Sequence, residues 1–273
     1  MPRYFIEVSY KGTAYAGFQI QKNSNTIQAE VEKALKTLFK QAFSLTGASR
    51  TDTGVHALQN YFHFDSVQLL TVNKKGKKRQ DSKVHPHEIS TGIAEAVYNL
   101  NAILPRDIVI KRIYQVADEA HCRFDAVSRE YKYFIYQNKN PFLEGRAYYF
   151  PYKLNLENLN KAAAIILQHQ DFTSFSKKNT QVNNFICKMI ISEWIIENNV
   201  LVYNVKANRF LRGMVKGMVA TMLKVGTGKI SLEEFDAILK SRDCSKADFS
   251  APSHGLFLVG VEYKNGLFMN TNN

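Results

Sequence analysis

Apolar and polar positions repeat along this chain with two periods, and the switches between the periods predict an order of elements. Arg3–Tyr10 has strand spacing, and Ile27, Val31, Leu35 and Leu38 then fall on one helical face. Asn25 is the expected N-cap of that helix, with Gln28 three residues on. Phe43–Ser49 and Ala57–Phe64 predict two further strands, the second with Leu58, Asn60, Phe62 and Phe64 on one face. Ile89, Ile93, Val97 and Leu100 mark another helix, and Asp107–Val116 returns to strand. The order β-α-β-β-α-β then recurs. Val127–Gln137 is an aromatic-rich strand, Leu156–His169 a helix, and Cys187–Glu197 with Val200–Ala207 a hairpin about Asn198-Asn199. Phe210, Met214, Met218 and Met222 line a helix ending at Gly226, an extra helix starts at Ser231 with Glu234 completing a capping box, and Gly255–Tyr263 closes as a strand. The expected fold class is α+β, two tandem ferredoxin-like (βαββαβ) halves with antiparallel sheets and a cleft between them. The expected halves are 1–115 and 116–264, with a tail at 265–273 and the boundary within 114–126.

Charge changes the picture first. Thirty-six Lys+Arg against 24 Asp+Glu gives a net +12, which favours a polyanionic partner through counterion release. The plain alternative is a protein that is merely basic and soluble. Six of the basic residues, Lys74, Lys75, Lys77, Lys78, Arg79 and Lys83, crowd into Val72–His87 beside a lone Asp81. That stretch predicts a solvated loop, with RNA phosphate contact as its functional option. Cys122, Cys187 and Cys244 are odd in number and form no Cys-x-x-Cys pair, so neither a disulfide framework nor a zinc site is expected. His121 beside Cys122, and His85 with His87, lack further ligands at useful spacing. No apolar run approaches the ~20 residues that cross a bilayer, and the N-terminus has no signal-peptide pattern, so no membrane partner and a cytoplasmic location are expected.

The densest polar cluster of the first half is Gly47-Ala48-Ser49-Arg50-Thr51-Asp52-Thr53-Gly54-Val55-His56, between two predicted strands. Residues of these types make turns. This one is longer and more polar than a hairpin needs, and Arg50 precedes Asp52 by two positions. The cluster resembles the catalytic loop of the TruA family of tRNA pseudouridine synthases, Gly-x-Gly/Ser-Arg-Thr-Asp-x-Gly-Val-His. Tyr10-Lys11-Gly12-Thr13-Ala14-Tyr15-Ala16-Gly17-Phe18-Gln19 is similar to that family's first strand and following loop, and Ser128-Arg129-Glu130-Tyr131-Lys132-Tyr133 to its central-strand motif. Asp171–Phe175, Lys206–Leu211 and Ala251–Leu256 complete a colinear series from about Arg3 to Tyr263.

The resemblance implies isomerisation of uridine to pseudouridine at positions 38, 39 and 40 of the tRNA anticodon stem-loop. That reaction oxidises and adds nothing, so no cofactor is implied. It implies Asp52 as nucleophile, because carboxylates form covalent intermediates with such electrophiles. Attack on the base, attack on C1′ and removal of a ribose proton all stay open. A paired base must first leave its stack. The resemblance gives Arg50 the role of holding the flipped nucleotide, a structural ion pair being the other reading. It gives Tyr131 the role of packing against the uracil and assisting loss of its C5 proton. The residues alone make Tyr131 an ordinary strand aromatic, alternating with Tyr133 and Ile135. Lys216, Arg209 and Arg129 join Tyr131 as implied substrate contacts, and the implied assembly is a homodimer that holds RNA across both subunits.

The chain departs from the family pattern in four places. Met214-Val215-Lys216 stands where Met-Val-Arg is usual, which removes a two-pronged partner for Asp52. Cys187 takes the place of a strand arginine, Lys11 that of an aspartate, and the basic stretch at Val72–His87 is longer. The changes at Lys216 and Cys187 keep a second reading in view, a tRNA-binding paralogue or RNA chaperone without catalysis. A ribosome-associated basic protein is a third.

Overall fold

The computed structural model describes residues 1–67, 86–178 and 182–268, with side chains left aside at 86–91. The basic stretch that starts at Val72 lies outside the described residues up to position 85. Helices and strands are mixed, and nearly all strand pairs are antiparallel. Contacts divide the chain into two units, one of 1–53, 57–126 and 261–273, the other of 54–56 and 127–260. Among the described residues no helix is long and apolar enough to cross a membrane.

The first unit contains β1 (Arg3–Tyr10), α1 (Ile27–Phe39), β2 (Thr46–Gly47), β3 (His56–Asp65), α2 (Pro86–Ile103) and β4 (Ile108–Val116), β3 beginning one residue ahead of it. β1 lies between β3 and β4, antiparallel to both, and β2 pairs with β3. Tyr4, Phe5, Ile6 and Val8 are all fully buried, so β1 is covered on both faces, apolar residues standing at odd and even positions alike. Phe5 meets Tyr61, Tyr263 and Phe268 on one face, while Tyr4 meets Phe64 on the other. Glu7, buried beside that aromatic cluster, accepts hydrogen bonds from Tyr114 and Gln59 at 2.9 and 3.1 Å.

Three details differ from the sequence expectation. The α1 cap is Thr26, whose Oγ1 accepts from Ala29 N at 3.3 Å. Gln28 closes no capping box; its Nε2 donates to Leu45 O and Glu32 Oε1 instead. Thr26→Ala should therefore lower stability by about 1 kcal/mol in a urea titration, whereas Asn25→Ala should leave it within experimental error. The strand expected over 43–49 shrinks to β2, because Phe43 packs edge-on against Phe39 and Phe64 rather than pairing. Leu58 is exposed although Asn60, Phe62 and Phe64 are buried. A register shift in the β1–β3 pairing sets Ala57, not Leu58, opposite Tyr10.

The second unit contains β5 (Ala126–Tyr136, from its second residue), β6 (Tyr148–Tyr149), α3 (Leu156–Gln168), β7 (Met189–Glu197), β8 (Val200–Ala207), α4 (Met214–Gly226) and α5 (Leu232–Ser241). The strand β9 (Leu256–Tyr263) contributes its first five residues to this unit and its last three to the other. β8 pairs antiparallel with β5 and β7, and β6 adds to β5 in parallel. Asn198 and Asn199 both have positive φ, 50° and 62°, the geometry of a tight two-residue hairpin. α3 packs on β7 and α4. α4 is buried over nearly its whole length and starts at Met214, later than the Phe210 stripe suggested, because Gly213 at φ 74° caps it. The Ser231–Glu234 capping box of α5 is present in both directions, at 3.2 and 2.7 Å.

Candidate active site

Asp52 sits half-buried in the loop between β2 and β3, within the first unit. The residue before it is fastened from two sides. Thr51 is buried, its hydroxyl shares a 2.8 Å hydrogen bond with Tyr10 Oη, and its carbonyl accepts from Phe18 N at 3.1 Å. Asn60 Nδ2 donates to both Tyr10 Oη and Ser49 O, tying the loop to the strand beneath it. Burial pushes the Tyr10 phenol well above its ordinary value, so it stays a neutral hydrogen-bonding group. Gly17 passes under this loop at φ 104°, and a Cβ there would stand 3.0 Å from Thr51 O. Against this fixed backbone the Asp52 carboxylate itself has no hydrogen-bond or salt-bridge partner among the described residues. Arg50 is exposed and also forms no salt bridge among them, so the structural ion pair is not what holds it. A rigid loop with a bare carboxylate and a nearby free guanidinium can present a nucleophile to an anionic ligand.

Residues 54–56 count with the second unit. Gly54 adopts φ 77°, and a Cβ added there would stand 3.3 Å from Ser253 Cβ. His56 stacks on Phe257 at 4.4 Å, and its Nε2 lies 3.1 Å from His254 O. Lys216, in the first turn of α4, is 8% exposed and donates from Nζ to Ser253 Oγ at 3.0 Å. A buried ammonium needs such partners to remain charged.

Tyr131 lies on β5, buried, with its ring edge-on to Phe210 at 5.0 Å. Arg129, two residues earlier, donates to Asn208 O at 2.9 Å, and Asn208 also bonds both ways with Lys188. Arg209 is half-buried beside them. Tyr131, Arg129, Arg209 and Phe210 thus gather at one end of β5 and β8. Cys187 does not join the β8 ladder; its N–H bonds Gln170 O in the isolated bridge that sets Asp171 opposite Ile186, and β7 starts at Met189. Its thiol is pushed up to about 11 by burial, with Arg209 drawing it back, and is inert at neutral pH.

The fold brings together one set of potential metal ligands that sequence spacing did not reveal. His63, His121 and Cys122 have donor atoms within 4.8 Å of one another. Cys122 N donates to His63 Nδ1, Arg123 N and Phe124 N donate to His121 Nδ1, and the Cys122 thiol donates to Thr46 O. These hydrogen bonds tie the three side chains to the backbone around them. Burial, aided by His121 and Arg3 and opposed by Asp65 and Asp125, lowers the His63 imidazole from 6.5 to about 4. Below pH ~6.5 the unfolded chain takes up a proton that the folded chain refuses, so stability is lost on acidification from there towards pH ~4. His121 is lowered too, chiefly by burial, and acts in the same direction. Urea unfolding at pH 7.5 and pH 5 should show a loss of about 1–2 kcal/mol, reduced in His63→Gln.

Gly17, Tyr10, Asn60 and Ser253 were not picked out as site residues in the sequence. Three of the four lie within stretches that resemble family motifs, which was the available signal. Comparison with known proteins agrees with those motifs. A profile described as tRNA pseudouridine synthase matches residues 162–264. The tRNA pseudouridine synthase A of Porphyromonas gingivalis is 40% identical over 271 residues, 98% of this chain and 100% of the relative. That of Azobacteroides pseudotrichonymphae is 37% identical over 99% of this chain and 100% of its own length. That of a Staphylococcus aureus strain is 33% identical over 95% and 90%.

Proposed function

We infer the reaction from a premise these relatives establish, that this chain belongs to the tRNA pseudouridine synthase A family. It is an isomerase that converts uridine to pseudouridine in tRNA. The N1–C1′ bond breaks, the uracil turns, and C5 bonds to C1′. N1 gains a proton and C5 loses one, so the atoms balance without a cofactor.

In the reading proposed here Asp52 is the nucleophile. The observation that supports it is a carboxylate without a partner on a loop whose backbone is fastened at Thr51. Arg50, exposed and without a carboxylate partner among the described residues, holds the flipped nucleotide. Tyr131 packs against the extruded uracil and assists loss of its C5 proton, while Arg129, Arg209 and Lys216 hold the RNA. The targets are uridines 38, 39 and 40 of the anticodon stem-loop, and the working form is a cytoplasmic homodimer, a state that light scattering reads directly. Each unit is a βαββαβ ferredoxin-like half. The strand orders β4-β1-β3-β2 and β9-β5-β8-β7 support this, since both run fourth, first, third, second once the two-residue β6 is set aside.

The test is tritium release from unmodified tRNA carrying 5-tritiated uridine. Release confined to transcripts with uridine at 38, 39 or 40 is expected. Tight tRNA binding without release would favour the non-catalytic paralogue.

A further inference from the structure

The loop that carries Asp52 contains a group that works against its own conformation. The Ser49 hydroxyl is buried without a hydrogen-bond partner among the described residues, and such a group destabilises the arrangement that buries it. Ties from elsewhere must offset that loss, and two side chains outside the loop supply them. Tyr10 ends β1, and Asn60 lies on β3, fully buried. The β1–β3 register slips between Val8 and Tyr10, an irregularity of the kind that re-aims a side chain.

The directions of these hydrogen bonds follow from what each group can do. Ser49 O only accepts and Tyr61 N only donates, so the Asn60 amide turns Nδ2 to the first and Oδ1 to the second, each at 2.9 Å. The other Nδ2 hydrogen goes to Tyr10 Oη at 3.2 Å. Between Tyr10 Oη and Thr51 Oγ1, 2.8 Å apart, either hydroxyl could donate. Donation by Thr51 would leave the buried phenol hydrogen without an acceptor among the described residues, whereas donation by Tyr10 uses it. The bonds therefore run one way, from Asn60 to Tyr10 to Thr51, and end on the residue before Asp52.

We propose that Tyr10, oriented by Asn60, is a positioning residue for Asp52: its hydroxyl fixes the backbone from which the carboxylate is aimed, so that removing it slows the chemical step without weakening RNA binding. Tyr10 is only 4% exposed, so it acts through Thr51 rather than on the RNA. A shift of about 1 Å at a reacting group can cost about 100-fold in rate, while binding spread over many cations does not sense it. The effect on turnover rests on the function proposed above; the hold on the loop does not.

The experiment uses the full chain with Tyr10→Phe, Thr51→Val and both together, read by single-turnover rate, tRNA affinity and urea midpoint. Tyr203→Phe is the matched control, since Tyr203 Oη, also buried, shares a 2.8 Å bond with Ser192 Oγ in the second unit. Each single variant should be slower by about 10–100-fold at unchanged tRNA affinity, and the double variant no slower than the slower single. Tyr203→Phe should keep the wild-type rate even where its urea midpoint falls. Tyr10→Phe removes one oxygen atom, so it decides the matter alone should Thr51→Val fold poorly. Wild-type turnover in Tyr10→Phe would overturn the proposal, and so would a rate loss shared by Tyr203→Phe or a loss confined to affinity. Hydrogen exchange of the free chain separates this proposal from the functional reading. Exchange over residues 49–53 should be at least about threefold faster in Tyr10→Phe and unaltered in Tyr203→Phe. Should the wild type make no pseudouridine, the functional reading sinks; that exchange contrast would then keep the hold on the loop, and its absence would sink it too.

Discussion

Asp52→Asn should lose at least about 10⁴-fold of single-turnover pseudouridine formation while its denaturation midpoint and tRNA affinity stay at wild-type values. The two halves of this expectation have different physical sources. The carboxylate makes no hydrogen bond or salt bridge among the described residues, so the isosteric amide removes nothing that holds the fold. Stability should stay within about 0.5 kcal/mol. Binding is carried by many cations along a chain of net charge +12, and loss of one anion leaves it unchanged or slightly tighter. Turnover alone depends on the oxygen that attacks, and an amide is no nucleophile. A fall in all three quantities together would instead mark Asp52 as a structural residue.

Gly17→Ala should sharply lower turnover although Gly17 carries no functional group. At φ 104° an L side chain is strained, by about 1–3 kcal/mol. The new Cβ would also stand 3.0 Å from Thr51 O and 3.4 Å from Thr53 N, which are backbone atoms on either side of Asp52. The loop must move to admit it. Displacing a reacting group by about 1 Å can lower turnover about 100-fold. Gly145→Ala is the control, because Gly145 shares a positive φ of 67° but has nothing within 4 Å of the added Cβ. Both variants should lose stability; only Gly17→Ala should also lose kcat. Equal kcat in the two would mean that the Gly17 contact does not position Asp52.

Local patterns carried much of the fold into view. β1 and β8 have the bounds their alternation predicts, and the α5 capping box is where Ser231 and Glu234 put it. The misses have nonlocal or competing causes. Asn25 and Thr26 are both good caps, and only the observed φ/ψ of Thr26 separates them. Phe43 belongs to an apolar run, yet an aromatic pocket made by Phe39 and Phe64 outcompetes strand pairing there. Leu58 follows the alternation of its strand, but the register shift opposite Tyr10 turns it outward.

The site was legible to different depths. Asp52 and Arg50 stand in one dense polar run, so their loop announced itself. Tyr131 alternates like any strand aromatic, and only its motif context singled it out. The residues that fasten the loop were harder to see, because Tyr10, Gly17 and Asn60 reach Thr51 and Ser49 from far along the chain. His63 meets Cys122 across 59 positions for the same reason. Periodicity reports which face a residue occupies, not which distant residue shares that face.

The most direct test of the account is a chemical map of pseudouridine in unmodified tRNA after incubation with the wild-type chain or with Asp52→Ala. Pseudouridine made by the wild type and none made by the variant is the expected result. A variant that modifies the RNA as well as the wild type does would contradict it, and so would a wild-type chain that leaves every uridine unchanged.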